Sequence, residues 1–154
     1  MSKLGLVLTT AVVAIVSSWA AMMYFFERPK QTITGSAVAF DGDTLEFYAS
    51  GGGDRYTIRL DALHAPELHE GGGIAARDWM QKRLKGRLVE CTIKSQPDQF
   101  GRNIGRCTVD GKDVAAELVA EGLGRACVRY GRQYLKYEVP RSQQLRVPSY
   151  CNPE

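Results

Sequence analysis

The ten residues "IRLDALHAPE" at 58–67 carry four ionisable side chains: Arg59, Asp61, His64 and Glu67. Arginine offers an anion a forked set of donors, while histidine and glutamate move protons at reaction centres. The same four residues also suit the solvated end of a strand. Side chains of similar chemistry recur along the chain: Asp41 and Asp43 in "DGDT", Arg102 closing "DQFGR", and Tyr130. Each has a plain structural reading beside the chemical one. The two aspartates can shape a tight turn, Asp41 above all. Arg102 can be a solvated loop residue, and Glu67 an exposed carboxylate beside a turn at Pro66.

The elements that would position these groups follow from the hydrophobic pattern. "QTITGSAVAF" at 31–40, "TLEFYA" at 44–49 and "RYTIRLDAL" at 55–63 read as three strands in series, separated by "DGDT" and "SGGGD" turns. A helix follows over Ile74 to Lys85, with Ala76, Trp79, Met80 and Leu84 on one stripe and Gly86 at its end. "RLVECTI" and "NIGRCTV" are two further strands around the loop "KSQPDQFGR". A second helix spans Asp113 to Glu121, and Pro140 and Pro148 interrupt what comes after. Five short strands with a helix after the third predict an α+β, mainly β, Greek-key barrel of the OB type.

The first thirty residues stand apart. From Leu4 to Phe26 there are 23 residues without a charge, enough to cross a bilayer as a helix. A membrane anchor is expected there, with a cleaved signal segment as the alternative. The chain then divides into the segment 1–30, a domain at 31–139 and an irregular tail at 140–154. Net charge is +3; Lys3, Arg28 and Lys30 against Glu27 account for most of it. The domain therefore has no bulk polybasic character with which to attract nucleic acid.

Cys91, Cys107, Cys127 and Cys151 all follow the apolar segment and contain no CxxC pair, which disfavours a zinc site. An even number beyond a membrane-targeting segment points to disulfides in an oxidising compartment, with the domain facing the periplasm or exterior. Buried free thiols are the other reading. An antiparallel pairing centred near Gln99 would set Cys91 opposite Cys107, leaving Cys127 and Cys151 as the second pair.

"DGDT", "IRL…APE", "DQFGR" and "GKDVAAELVAEGLGRA", in that order, resemble the staphylococcal nuclease (thermonuclease) family over roughly residues 33–130. The resemblance implies a five-stranded OB barrel with three helices and calcium-assisted hydrolysis of phosphodiester bonds in DNA or RNA. By position it makes Asp43 a metal-binding aspartate, Arg59 and Arg102 the arginines on the phosphate, and Glu67 the general base. It sets Tyr130 beside the nucleotide, with Val128 in place of a second tyrosine. The residue types suit that chemistry. A phosphodiester anion repels its nucleophile, so catalysis is largely charge neutralisation and positioning. Arginine forks meet the phosphate oxygens, a hard cation polarises one of them, and a carboxylate takes the proton of water.

His64 departs from the family pattern, which has an aspartate there as a second calcium ligand. Imidazole is a poor ligand for calcium. Three readings are open: His64 favours zinc or manganese, or acts as a cation on the phosphate, or marks a site that has lost catalysis. In an extended strand Asp61, three residues earlier, would point to the opposite face, so it is not counted as a ligand. The functions expected are phosphodiester hydrolysis by a tethered nuclease domain or, alternatively, binding of nucleic acid or of a protein partner without cutting.

Overall fold

The computed structural model describes residues 30–152. The apolar segment expected to be an anchor lies outside them; among the described residues no helix is long and apolar enough to cross a membrane.

Strand β1 (Gln31–Ala39) buries Ile33, Gly35, Ala37 and Ala39 and exposes the residues between them, the period-two alternation of a sheet with one buried face. It pairs antiparallel with β2 (Thr44–Ala49), which pairs in turn with β3 (Arg55–Leu60). The first half of β1 pairs instead with β5 (Val89–Pro97), and the two pairings meet at Gly35. A Cβ there would lie 2.0 Å from the Tyr48 carbonyl oxygen, so this crossover requires glycine. Strand β6 (Asn103–Val109) runs antiparallel to β5 and parallel to β3, with Ile58 opposite Asn103 and Leu60 opposite Gly105. That pairing closes five strands into a barrel, the OB architecture expected from the sequence.

Helix α1 (Gly73–Leu84) covers one end of the barrel with Ala76, Met80 and Leu84 buried and Trp79 half-buried. The core beneath it contains Leu45, Phe47, Ile58, Leu60, Val89 and Val109, joined by Val114 and Leu118. Each large apolar side chain so buried contributes about 1.5–3 kcal/mol relative to exposure. Helix α2 (Val114–Ala120) follows the two-residue strand β7 (Lys112–Asp113), and the Asp113 carboxylate caps it by accepting from the Ala115 and Ala116 amides. Arg83 of α1 reaches Glu117 of α2 at 2.8 Å.

Outside the barrel, β4 (Leu63–His64) pairs with β8 (Arg125–Ala126). The tail is more ordered than its two prolines imply. It forms a 3-10 turn at Leu135–Tyr137, the third helix α3 (Pro140–Gln143), with proline at its first position as helix starts allow, and a second 3-10 turn at Ser149–Cys151.

Both expected disulfides are present. Cys91 and Cys107 are direct register partners on β5 and β6, and Cys127 joins Cys151. All four half-cystines are buried. By loop-closure entropy the first bridge is worth about 3 kcal/mol.

Candidate active site

The "DGDT" turn is built by its own side chains. Asp41 Oδ1 accepts the Asp43 and Thr44 amides at 2.9 and 2.6 Å, so Asp41 has the structural role the sequence allowed it. Between the aspartates, a Cβ on Gly42 would come within 2.5 Å of the Ala65 Cβ and 2.8 Å of the Ala76 Cβ. Glycine thus lets the turn press against the segment after β4. Asp43 consequently meets that segment, and its Oδ2 accepts the Ala65 amide at 2.8 Å.

Arg59, on β3 opposite Thr44, donates to Asp43 Oδ2 at 2.9 Å. It also donates to the Leu60 and Asp43 carbonyls at 3.1 and 3.4 Å. Both side chains are largely buried. Burial pushes the Asp43 carboxyl up to about 7; Arg59 pulls the other way, and the neighbouring Asp41 and Glu67 charges add to the rise. The Asp43 carboxyl therefore titrates near neutrality.

Arg59 and Asp43 form one wall of an open cleft of about 1140 Å³ that also receives Glu67, Arg102 and Tyr130. Glu67 is exposed, and its carboxylate makes no hydrogen bond among the described residues. Its backbone is fixed by a turn in which its carbonyl accepts the Glu70 amide and its amide donates to the Glu70 carboxylate. A Cβ on Gly73 would sit 1.9 Å from the Glu67 carbonyl oxygen, so the start of α1 touches the backbone that carries Glu67.

Arg102 enters from the loop between β5 and β6. Asp98 Oδ1 accepts the Phe100 and Arg102 amides, while Oδ2 takes the Arg102 guanidinium at 2.8–2.9 Å. Burial acts to raise Asp98, but these donors outweigh it and hold the carboxyl below the usual range. Arg102 also lies over the Phe100 ring at 5.3 Å. Both arginines keep guanidinium N–H groups uncommitted by these contacts.

One expectation is corrected here. His64 does not line this cleft. Its ring is buried, and Nε2 lies 3.1 Å from the Arg146 carbonyl oxygen, while Nδ1 has no partner among the described residues. Asp61 lines the cleft where His64 does not, so the two are opposed as a three-residue spacing implies, and Asp61 pairs with Lys94 at 2.9 Å. Ala62, with a φ of 55°, lies in the turn between β3 and β4.

The residues present do not fit the calcium that the resemblance implies. Calcium takes six to eight oxygen ligands, yet the Asp43 carboxylate is held by Arg59 and by a backbone amide. The second ligand position is an imidazole directed at Arg146. Among the described residues no three His, Cys, Asp or Glu side chains gather as a metal-binding set. Zinc or manganese gains nothing either, because the expected pair of Asp43 and His64 is not assembled.

Comparison with models of protein families matches this chain over residues 57–145 to the family described as staphylococcal nuclease homologue. The chain belongs to the staphylococcal nuclease family. A search of curated proteins finds no match. The matched stretch contains Arg59, His64, Glu67, Arg102 and Tyr130 and begins after Asp43. Within this nuclease-family domain the cleft also holds Phe100, Arg129 and Tyr150, which the sequence reading did not single out. Phe100 carried a signal, an aromatic beside the glycine of an exposed loop. Tyr150 carried only its adjacency to Cys151.

Proposed function

We propose that the cleft binds single-stranded nucleic acid and hydrolyses its phosphodiester bonds. The observation that carries this reading is the meeting of Arg59, Arg102 and a Glu67 carboxylate unpaired among the described residues in one open cleft. Arg59 and Arg102 neutralise the phosphate and fix its oxygens through forked donors. Each is held from behind by an aspartate, Asp43 or Asp98, so little reorganisation is needed when the phosphate arrives. Glu67 takes a proton from water as the oxygen adds to phosphorus. The bond to the 5′ oxygen breaks and that oxygen takes a proton from solvent water, leaving a 3′-phosphate and a 5′-hydroxyl. No step is assigned to a metal ion.

Arg59→Ala and Arg102→Ala are each expected to lower kcat/KM on a single-stranded oligonucleotide by about 10²–10³, the usual effect of removing one positioned donor. Undiminished cutting by both variants would remove the basis of this reading. A second reading, binding without cutting, draws on His64 being turned away from the cleft and on Asp43 being engaged with Arg59. It prevails if the full chain binds oligonucleotides and leaves them intact.

The apolar segment at 4–26 supports a further part of the proposal, tethering of the domain at a membrane. The two buried disulfides favour an oxidising side of it. Resistance of the full chain to extraction from membranes at alkaline pH tests the tether, and release into the soluble fraction refutes it.

A further inference from the structure

Resting on the nucleic-acid reading above, we infer that Tyr150 is a base-stacking residue of the cleft, seated there by the Cys127–Cys151 disulfide. Tyr150 lies far along the chain from Tyr130, yet both line the cleft. The disulfide brings them together, because Cys151 is fastened to Cys127, three residues before Tyr130. The Arg129 amide also donates to the Cys151 carbonyl at 2.9 Å. Neither tyrosine is spent on the core: Tyr130 is 56% exposed and Tyr150 48%. Phe100 stands exposed in the same cleft, beside Arg102.

Exposed rings beside phosphate-directed arginines are the arrangement by which proteins hold single strands. Arginines follow the backbone while aromatic faces take successive bases, with little regard for sequence. Tyr150 adds a further aromatic to the cleft that Tyr130 and Phe100 line. The buried disulfide offsets the ordering cost that a free tail would incur on binding. The ligand class is a single-stranded oligonucleotide with bases as well as phosphates; a duplex, whose bases are stacked internally, offers the ring no free face.

The test is fluorescence anisotropy of the full chain with a labelled single-stranded oligothymidylate and with an abasic oligonucleotide of equal length. Tyr150→Ala is expected to weaken binding of the oligothymidylate by about 5- to 150-fold and to leave the abasic strand unaffected. Tyr150→Phe should restore the wild-type value. Cys127→Ser/Cys151→Ser should weaken oligothymidylate binding to a similar extent, with Tyr150→Ala adding little more in the combined variant. Unchanged oligothymidylate affinity in Tyr150→Ala overturns the inference, as does equal weakening for both strands. Arg59→Ala separates the two levels of the proposal. If it weakens both strands while Tyr150→Ala weakens neither, the cleft reading stands and the Tyr150 inference falls. If Arg59→Ala binds both strands like the wild type, the cleft reading itself falls and takes the inference with it.

Discussion

Arg59 and Asp43 face each other at 2.9 Å, with the Asp43 carboxylate also accepting the Ala65 amide. The pair joins β3, the "DGDT" turn and the segment after β4 in one contact. It orients the arginine toward the cleft, and it occupies the carboxylate that the family resemblance assigns to a metal.

Asp43 is expected to make stability pH-dependent in a particular direction. Its folded-state pKa is raised from 3.8 to about 7, so the folded state binds the proton more tightly than the unfolded state. The corresponding stability is fully present below the unfolded value and is lost as pH rises through about 7. Asp43→Asn removes this titration. The stability of Asp43→Asn relative to wild type should therefore increase between pH 5 and pH 8, by at most about 1.4 kcal/mol per pH unit. Denaturant melts at the two pH values check this; parallel behaviour of the two proteins would refute it.

His64 should act in the opposite sense. Burial lowers its pKa below 6.5, and the Arg59 and Arg125 charges act the same way, against the Arg146 carbonyl and Glu70. The neutral ring is favoured in the fold, so its contribution is present above pH 6.5 and is lost as pH falls through the lowered folded value. His64→Gln retains an N–H that can reach the Arg146 carbonyl but does not titrate. Between pH 7.5 and 5 the wild type should lose more thermal stability than His64→Gln. Equal losses would contradict the buried placement of the ring.

Gly73 is expected to control Glu67 through backbone contact. Gly73→Ala would force a methyl group to within 1.9 Å of the Glu67 carbonyl oxygen. The turn must shift, so a stability loss of about 1–3 kcal/mol should accompany a fall in cleavage. Gly52→Ala is the control, because no atom lies within 4 Å of its added Cβ. Wild-type behaviour of Gly73→Ala in melts and cleavage assays would show that the close approach is not needed.

The Cys91–Cys107 bridge should act on stability more than on chemistry. Replacing both cysteines with alanine is expected to cost about 3 kcal/mol, read as a lowered denaturation midpoint. Arg102 has its own support in Asp98, so cleavage by the folded variant should change little. An unchanged midpoint would argue against a stabilising crosslink.

Much of the barrel was legible because its alternation is regular. Ile33, Ala37 and Ala39 point inward on β1 as a period of two requires, and Cys91 and Cys107 oppose each other as the loop length implies. Arg59, Glu67, Arg102 and Tyr130 share a cleft as their order of motifs led one to expect. That Asp61 rather than His64 meets the cleft was not legible, because alternation sets the two on opposite faces without saying which face the cleft takes. Tyr150 escaped notice for a different reason. Its place depends on a covalent link between Cys127 and Cys151, whereas local patterns report only on chain neighbours.

The most direct measurement is the rate of product formation from a single-stranded oligonucleotide by wild type and Glu67→Gln, with affinity measured alongside. It should be made in EDTA and with calcium, manganese or zinc added. The wild type is expected to release 3′-phosphate products, and Glu67→Gln to do so at least about 100-fold more slowly at unchanged affinity. Equal rates for the two proteins, or intact substrate under every condition despite binding, would contradict phosphodiester hydrolysis at this cleft.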